Sequence, residues 1–302
     1  MGDRLTFTVP DDLAGERADR VVAVMGEMSR AAARQLVDEG SVTVDGEKAA
    51  ARSRLEVGQV ISFPPPAEAA GLEPVEVDFG VAYEDEDLIV VDKPAGLVVH
   101  PGAAGETGTV AAGILHRRPE VEGVGQEGRW GLVHRLDRDT SGLMVVAISD
   151  RAYRGLAEQV SEREMGREYL ALVDGGFPVP TGTIDAPLSR DAARPTRRRV
   201  DPAGRPARTH YEVEHEYENS GLTLLRVRLE TGRTHQIRVH LAAIGHPLVG
   251  DRVYRPGPDR VEVPRLFLHA ARLSFTHPAS GEPLAFDSPL PPELSAVLER
   301  LS

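Results

Sequence analysis

Cysteine is absent from the 302-residue chain. Disulfides, zinc sites built from thiolates and mechanisms in which a cysteine adds to a substrate carbon are therefore excluded. Long apolar runs are absent too, since none approaches the ~18 residues of a membrane-spanning helix. The first residues, Met-Gly-Asp-Arg-Leu-Thr-Phe, lack the basic and apolar regions of a signal peptide, so we expect a cytoplasmic protein with no membrane partner.

Lysine is scarce, because only Lys48 and Lys93 among the 35 basic residues are lysines. The net charge of −12 argues at first sight against a nucleic-acid partner, since phosphate contacts supply most non-specific affinity. The charge is unevenly distributed, however. Eight acidic residues and no basic one lie in 68–87, whereas seven arginines and two aspartates lie in 190–208. An acidic chain of this kind can still offer a local basic surface.

The length and a hydrophobic content of 41% predict one small and one large domain. The small module covers residues 15–63, after an N-terminal segment over 1–14. A Pro-rich linker over 64–75 leads to the large domain, 76–302. In the small module we predict helices at Val21–Met25 and Arg30–Asp38, the second capped by Ser29, and strands at Val42–Val44 and Gln59–Phe63 on either side of an Asp45-Gly46 turn.

The large domain interleaves strand and helix patterns, which predicts an α+β fold with a mixed sheet. The strands are expected at Leu88–Asp92, Leu132–Arg135, Leu143–Ile148, Tyr169–Val173, Tyr211–Val213 and Leu222–Leu229. The helices are expected at Thr109–Arg118, Asp150–Glu164, Thr234–Ile244 and Pro292–Leu301.

One polar loop stands out in the large domain. Asp137 lies in a dense polar cluster, 134–142, between two apolar runs that read as buried strands. Loops held by a rigid scaffold commonly carry chemistry. Three other segments are comparably polar: 91–101, 167–171 and 231–240.

The small module resembles the S4 (αL-type) RNA-binding domain. The resemblance is carried by Arg17-Ala-Asp-Arg-Val21, the run from Ser29 to Gly46 and Val57-Gly-Gln-Val-Ile61. It implies RNA contacts from a helical face whose arginines are Arg17, Arg20, Arg30 and Arg34. The alternative is that these arginines are only solvated helix charges.

The large domain resembles the RluA/RluD-type family of RNA pseudouridine synthases. The resemblance is carried by His134-Arg-Leu-Asp-Arg-Asp-Thr-Ser-Gly142, the Tyr169 segment, Gly232-Arg-Thr-His-Gln-Ile-Arg238, Asp92-Lys-Pro-Ala-Gly96, Gly245-His-Pro-Leu-Val-Gly-Asp251, His269-Ala270 and His277-Pro278. It extends over nearly the whole chain.

The family isomerises uridine in RNA by detaching the base from C1′, turning it and rejoining it through C5, and it consumes no cofactor. The resemblance places the catalytic carboxylate at Asp137, which would act either as a nucleophile or as a base at the ribose. It makes Arg238 the ion-pair partner of Asp137, and Tyr169 the aromatic residue against the target base, with its hydroxyl available for the proton step at C5. Arg135 would enter the RNA helix where the base has left.

The resemblance also bears on Arg167 and on the basic segment 190–208. Arg167 stands where the family often has lysine, which keeps the charge. The basic segment falls where related enzymes carry a loop that grips RNA, so Arg190, Arg197 and Arg198 are expected to bind RNA. His134, His235 and His240 fit no standard zinc spacing, and we expect them to be hydrogen-bonded scaffold without a metal.

Each assignment has a simpler alternative: Asp137 could cap its loop, Arg238 could neutralise a helix, and Tyr169 could belong to the core. For the whole chain we predict a monomeric enzyme that modifies large-subunit (23S) ribosomal RNA. The alternatives are a tRNA pseudouridine synthase and a non-catalytic S4-domain RNA-binding protein. Methylation at C5 of pyrimidines normally needs a cysteine, which this chain lacks.

Overall fold

A computed structural model describes residues 4–26, 28, 30–50, 52–65, 72–101, 106–126, 128–191, 194, 196–255 and 257–301, with the side chains of residues 30 and 31 outside the description. The predicted Ser29 cap and most of the predicted linker, 66–71, lie outside the described residues. The chain divides into two compact units, Met1–Gly71 and Leu72–Ser302. This division falls within the linker predicted over 64–75, and the finer domain boundaries stay predictions.

The small unit packs two helices on a sheet. Its elements are β1 (Leu5–Thr8), α1 (Ala18–Met25), α2 (Arg30–Asp38), β2 (Thr43–Val44), β3 (Glu47–Lys48) and β4 (Val60–Phe63). The strand order is β1-β4-β2-β3, with antiparallel neighbours. Val21, Val22 and Val37 from the helices meet Ile61 and Phe63 in one core. Strand β1 lies in the 1–14 segment and extends the sheet of the small unit.

The large unit is built on a mixed sheet of nine strands among the described residues. The strands of the large unit, two of which (β10 and β11) lie outside this sheet, are β5 (Gly80–Glu84), β6 (Leu88–Lys93), β7 (Ser141–Ala147), β8 (Gly166–Asp174), β9 (Thr181–Asp185), β10 (Leu188–Arg190), β11 (Arg198–Val200), β12 (Arg208–Tyr217), β13 (Leu222–Leu229), β14 (Leu268–Thr276) and β15 (Pro283–Asp287). Its helices are α3 (Val110–Arg117), α4 (Asp150–Glu162), α5 (Gln236–Ala243) and α6 (Pro292–Leu301).

The order in the large sheet is β5-β6-β7-β14-β8-β13-β12-β9, with β15 paired to β14. The β7–β14 pair is parallel, and the other pairings described in this sheet are antiparallel. Strands β10 and β11 form a separate hairpin. This arrangement confirms the predicted α+β class with a mixed sheet.

Side chains on β8 alternate between two cores. Tyr169 and Ala171 face the main core, whereas Leu172 packs in a second core with Leu294 and Val297 of α6. Because alternate residues of a strand point to the same face, Arg167 and Tyr169 share a side of the sheet opposite to α6.

The predicted strand at Leu132–Arg135 is wrong. Leu132 makes a single bridge to Val146, and residues 133–136 form no strand. The cause lies at Gly131, which has φ +70° and whose carbonyl accepts a hydrogen bond from the Ala147 amide. A Cβ at Gly131 would lie 2.1 Å from the Ala147 oxygen, so the chain turns here as only glycine allows. The polar loop is therefore flanked by a strand on its C-terminal side alone.

Candidate active site

A cleft of ≈ 620 Å³ in the large unit is lined by four of the residues predicted from sequence, Arg135, Asp137, Tyr169 and Arg238. They come from the polar loop, from β8 and from α5, which are distant in the sequence. The fold thus brings the predicted chemistry to one place.

Asp137 presents its carboxylate to the cleft from an anchored backbone. Its carbonyl accepts a hydrogen bond from the Thr140 amide, and the carbonyl of Arg138 accepts one from the Gly96 amide at 2.9 Å. The side chain is 17% exposed and, within the described residues, accepts no backbone hydrogen bond. This argues against the alternative that Asp137 caps its own loop.

Lys93, for which no role is predicted from the sequence, holds the polar loop in place through hydrogen bonds. It is fully buried at the end of β6, and its Nζ donates to the carbonyls of Pro94 (2.8 Å), Leu97 (2.9 Å) and Arg138 (2.9 Å). Burial lowers the pKa of Lys93 to about 8. One of only two lysines in a chain rich in arginine, placed at the end of an apolar run, is the signal that could have identified it.

Arg238 is held mainly by Asp251, a carboxylate that the sequence analysis did not assign. Nε and Nη2 donate to the two Asp251 oxygens at 2.8 and 2.9 Å, and both residues are buried. Burial alone would lower the pKa of Arg238 and raise that of Asp251. Their hydrogen bonds outweigh burial, so the pKa of Arg238 is raised and that of Asp251 is lowered.

The third guanidinium nitrogen of Arg238 faces the cleft. Nη1 lies 3.7 Å from Asp137 Oδ2, which is an ion-pair distance but too long for a hydrogen bond. The predicted pairing of these two residues is therefore present in a looser form, with Arg238 already oriented by Asp251.

The turn before α5 places His235 beside Asp137. The predicted helix over Thr234–Ile244 begins only at Gln236, because His235 adopts a left-handed conformation at φ 57°. Such backbone costs on the order of 1–3 kcal/mol and clusters at functional sites. His235 Nε2 lies 4.0 Å from Asp137 Oδ2. Burial lowers the pKa of His235 more than Asp137 raises it, so the ring is neutral at neutral pH.

Tyr254 connects His235 to the basic hairpin. Its hydroxyl accepts the Arg198 amide at 2.8 Å and lies 2.8 Å from His235 Nδ1. The hydroxyl oxygen accepts one hydrogen bond from Arg198, so its own proton can be donated to His235 Nδ1; in that tautomer the Nε2–H of His235 is directed toward Asp137. The Tyr254 ring also lies 5.2 Å from the guanidinium carbons of Arg197 and Arg238.

Tyr169 is 5% exposed and lines the cleft while also packing in the main core, so the core alternative and the cleft assignment are both compatible with its position. Burial raises the pKa of Tyr169 to about 12, which keeps its hydroxyl protonated at neutral pH. Arg135 is exposed in the lining of the cleft, and among the described residues it makes no ion pair.

The basic segment folds as the β10–β11 hairpin, in which Arg190 pairs in register with Arg198. Arg190 is exposed, while Arg197 and Arg198 are partly buried. Arg197 donates to the Val253 carbonyl, so part of its guanidinium is used within the protein. None of the three is among the described residues that line the cleft; the hairpin is connected to His235, which does line it, through Tyr254.

In the small unit the predicted RNA-contacting arginines are paired with nearby carboxylates. Arg17 bonds Asp19 at 2.8 Å, Arg20 lies 3.1 Å from Glu16, and Arg34 lies 2.8 Å from Asp38. The Arg30 side chain lies outside the description. The Arg20–Glu16 and Arg34–Asp38 pairs are open to solvent and contribute about 0–1 kcal/mol, so phosphates could replace their carboxylates at low cost. Asp19 is buried, so exchanging the partner of Arg17 would cost more.

The half-buried His134 and the buried His240 are hydrogen-bonded to the scaffold. His134 Nε2 accepts the Val145 amide, and burial lowers its pKa to about 3, while His240 bonds Thr209 and the Ala186 carbonyl. Within the described residues no group of three or more His, Asp or Glu side chains is placed to hold a metal ion. No helix in that part of the chain is long and apolar enough to span a membrane.

Comparison with known families gives two matches. The model of the RNA pseudouridylate synthases matches residues 87–243, and that of the S4 domain matches residues 16–61. This chain belongs to the RNA pseudouridylate synthase family. The synthase is therefore an enzyme that isomerises uridine to pseudouridine, and its S4 domain precedes the catalytic domain, as the sequence predicts.

The relatives extend over almost the full length of the synthase. It is 42% identical to "Ribosomal large subunit pseudouridine synthase D" of Nitrosomonas europaea over 98% of this chain and 88% of the relative. It is 46% identical to an "Uncharacterized RNA pseudouridine synthase" of Chloroflexus aurantiacus, with 97% and 92% covered. Among solved structures, "Human RNA Pseudouridylate Synthase Domain Containing 4" matches with TM-score 0.59 at 25% identity over 74% of this chain and 92% of that one.

Proposed function

We propose that this synthase converts uridine to pseudouridine in large-subunit ribosomal RNA, with Asp137 as the catalytic carboxylate. Relatives named for the large ribosomal subunit, at about 40% identity over nearly the whole chain, support the substrate. The observation that carries the catalytic assignment is the Asp137 side chain, which opens to the cleft 3.7 Å from a guanidinium held by Asp251.

The reaction begins at the ribose. Asp137 either attacks C1′ or removes a ribose proton, and in both routes the C1′–N1 bond breaks with its electron pair left on the uracil. Arg238 lies at ion-pair distance from this carboxylate, whose negative charge either role requires. His235 is placed to offer an N–H to the same carboxylate as it moves during the reaction.

The base must then turn within the cleft before C5 bonds to C1′. Tyr169 lies where an aromatic ring can pack against the uracil, and its protonated hydroxyl can relay the proton that leaves C5. Arg135 is exposed and without an ion pair in the described residues, which suits a side chain that takes the place of the flipped base.

RNA outside the target nucleotide would be bound by the S4 arginines Arg17, Arg20, Arg30 and Arg34 and by Arg190, Arg197 and Arg198 of the basic hairpin. The same proposal places the enzyme in the cytoplasm, acting as a monomer without a metal or cofactor. These parts rest on the sequence and the family, and each can be tested separately.

The test of the substrate is chemical mapping of pseudouridine in ribosomal and transfer RNA from a strain that lacks this chain. We expect defined large-subunit sites to disappear and to return when the wild-type gene is restored. Loss confined to transfer RNA would support the tRNA alternative instead. Retention of every site would contradict the proposed substrate.

A further inference from the structure

One charged residue in the cleft has no role in the proposed mechanism. Arg167 is 6% exposed and lines the cleft, yet its Nε has no hydrogen-bond partner and its guanidinium makes no ion pair with any described residue. Its remaining contact is a long one, from Nη2 to the Glu230 carbonyl at 3.4 Å.

This isolation is unusual in the molecule. The other deeply buried arginines have carboxylate partners, Asp251 for Arg238 and Asp174 for Arg255. A buried charge without a partner is strongly unfavourable, so proteins rarely keep one without a use. We therefore expect a bound ligand to supply the partner that Arg167 lacks within the protein.

A second group in the same cleft is also unsatisfied. Thr140 is 2% exposed and lines the cleft, and its Oγ1 has no hydrogen-bond partner in the part of the chain that the structure describes. These two unsatisfied donors come from distant parts of the sequence, Thr140 from the polar loop and Arg167 from β8, and both line the same cleft. They point to a ligand that carries hydrogen-bond acceptors.

The position of Arg167 indicates which part of the substrate it meets. It shares a face of β8 with Tyr169, the residue assigned to the uracil ring. A Cβ at Gly232 would lie 2.8 Å from Arg167 Nη1, so the absence of a side chain there leaves room for the guanidinium. Phosphates of the RNA backbone are better suited to the exposed Arg135, since they stay close to solvent.

We propose that Arg167, with Thr140, binds the carbonyl oxygens of the target uracil and stabilises it while it is detached from the ribose. This inference rests on the proposed function. When the C1′–N1 bond breaks, the electron pair gives uracil one negative charge, which is shared by its two carbonyl oxygens. C5 then uses this electron pair to bond to C1′, which makes the ring neutral; in the nucleophile route the bond between Asp137 and C1′ breaks at this point, and in the base route the ribose regains its proton. The C5 proton then leaves while N1 gains a proton, so the product is neutral as well. A fixed guanidinium in a dry site favours the charged stage over both neutral ones.

The assignment holds for either role of Asp137, because uracil leaves as an anion in both routes. It makes Arg167 a substrate-binding residue whose effect is largest on the chemical step. Lysine at this position would keep the charge but lose the fixed, planar arrangement of the guanidinium N–H donors.

The first test compares Arg167→Met, Arg167→Lys and Thr140→Val under single turnover, with tritium release from C5-labelled uridine in ribosomal RNA. We expect Arg167→Met to slow release about 100-fold with the RNA dissociation constant changed only a few-fold. Arg167→Lys should stay within about 10-fold of wild type, and Thr140→Val should lose a smaller factor. Arg272→Met, which removes an exposed arginine paired with Asp287, is the matched control and should behave as wild type.

Thermal unfolding separates binding from a structural role. Because Arg167 is buried without a partner, Arg167→Met should leave the melting temperature unchanged or raise it. A clear fall in melting temperature together with weaker RNA binding would overturn the proposal. So would a rate for Arg167→Met equal to that of wild type. An inactive wild type would instead contradict the proposed function.

A double-mutant cycle in which one change is made in the protein and the other in the substrate tests the contact between Arg167 and the uracil. Target uridines carrying sulfur in place of O2 or O4 accept hydrogen bonds poorly, and product can be measured by nucleoside chromatography. We expect one of the two sulfur substitutions to slow wild type and to have little further effect on Arg167→Met. Equal slowing of both enzymes, or coupling only to a phosphorothioate beside the target, would overturn the assignment to the base.

Discussion

Arginines serve the two units of this synthase in different ways. In the small unit Arg20 and Arg34 lie on the surface beside carboxylates of their own unit, and the partly buried Arg17 is paired with the buried Asp19. In the cleft, Arg238 is buried and clamped by Asp251, and Arg167 is buried with no carboxylate partner among the described residues. The surface pairs can exchange carboxylate for phosphate, whereas the cleft arginines are set before RNA arrives. The arginines of the small unit are suited to RNA affinity, and the buried arginines of the cleft are suited to catalysis.

The largest effect is expected where the buried pair is broken. Asp251→Asn removes the two close charged hydrogen bonds of buried Arg238 and leaves only the looser contact with Asp137, which should lower the free energy of unfolding by about 3 kcal/mol. Urea denaturation of the full chain measures it. The matched control is Asp287→Asn, which breaks the exposed pair with Arg272 and should cost under about 1 kcal/mol. Similar losses in both variants would remove the distinction between buried and surface pairs.

A smaller effect is expected from the connection between the hairpin and the carboxylate. Tyr254→Phe keeps the ring near Arg197 and Arg238 but removes the hydroxyl that joins Arg198 to His235. Loss of about 1 kcal/mol of hydrogen bonding should slow tritium release roughly 5- to 10-fold, with RNA affinity nearly unchanged.

The control for this variant is Tyr83→Phe, which removes a hydroxyl bonded to Asp85 at a residue that does not line the cleft. Its rate should match wild type. If both tyrosine variants release tritium at the wild-type rate, Tyr254 does not help to position His235.

The smallest effect on chemistry is expected in the small unit. Replacing Arg17, Arg20 and Arg34 together by glutamine should weaken RNA binding and reduce the slope of log affinity against log salt by about 0.7–0.9 per lost phosphate contact. Tritium release at saturating RNA should not change. Filter binding at several salt concentrations gives the slope.

Three exposed arginines of the large unit, Arg117, Arg151 and Arg272, are also paired with carboxylates and form the matched control. An equal change in slope for this triple variant would mean that total charge, not the S4 surface, sets the affinity. The solvated-charge alternative would then hold for the small unit.

The parts of the fold that follow local rules could be predicted. β13 spans Leu222–Leu229 and α2 spans Arg30–Asp38, as their apolar spacing indicates. The strand at Leu132–Arg135 failed because an apolar run says nothing about the turn that Gly131 makes against Ala147. Length, too, was missed for β8 and β12, whose ends are held by neighbouring strands.

The site divides in the same way. Asp137, Tyr169 and Arg238 could be assigned because they lie in recognisable motifs, and the structure gathers them. Asp251, Tyr254 and Lys93 could not, since their roles depend on partners that only the folded chain supplies: a guanidinium 13 positions earlier, a histidine 19 positions earlier and a carbonyl 45 positions later. From the sequence, Arg167 could be described only as keeping the positive charge of the lysine that the family often has there. Its lack of a partner among the described residues is visible only in three dimensions.

The central claim is that the Asp137 carboxylate, open to the cleft beside Arg238, performs the isomerisation. The most direct test is tritium release from C5-labelled uridine in ribosomal RNA by wild type, by Asp137→Asn and by Asp139→Asn. We expect release by wild type and by Asp139→Asn, and a loss on the order of 10⁴-fold or more for Asp137→Asn, which keeps the shape of the side chain but not its charge. Release by Asp137→Asn at the wild-type rate would contradict the claim.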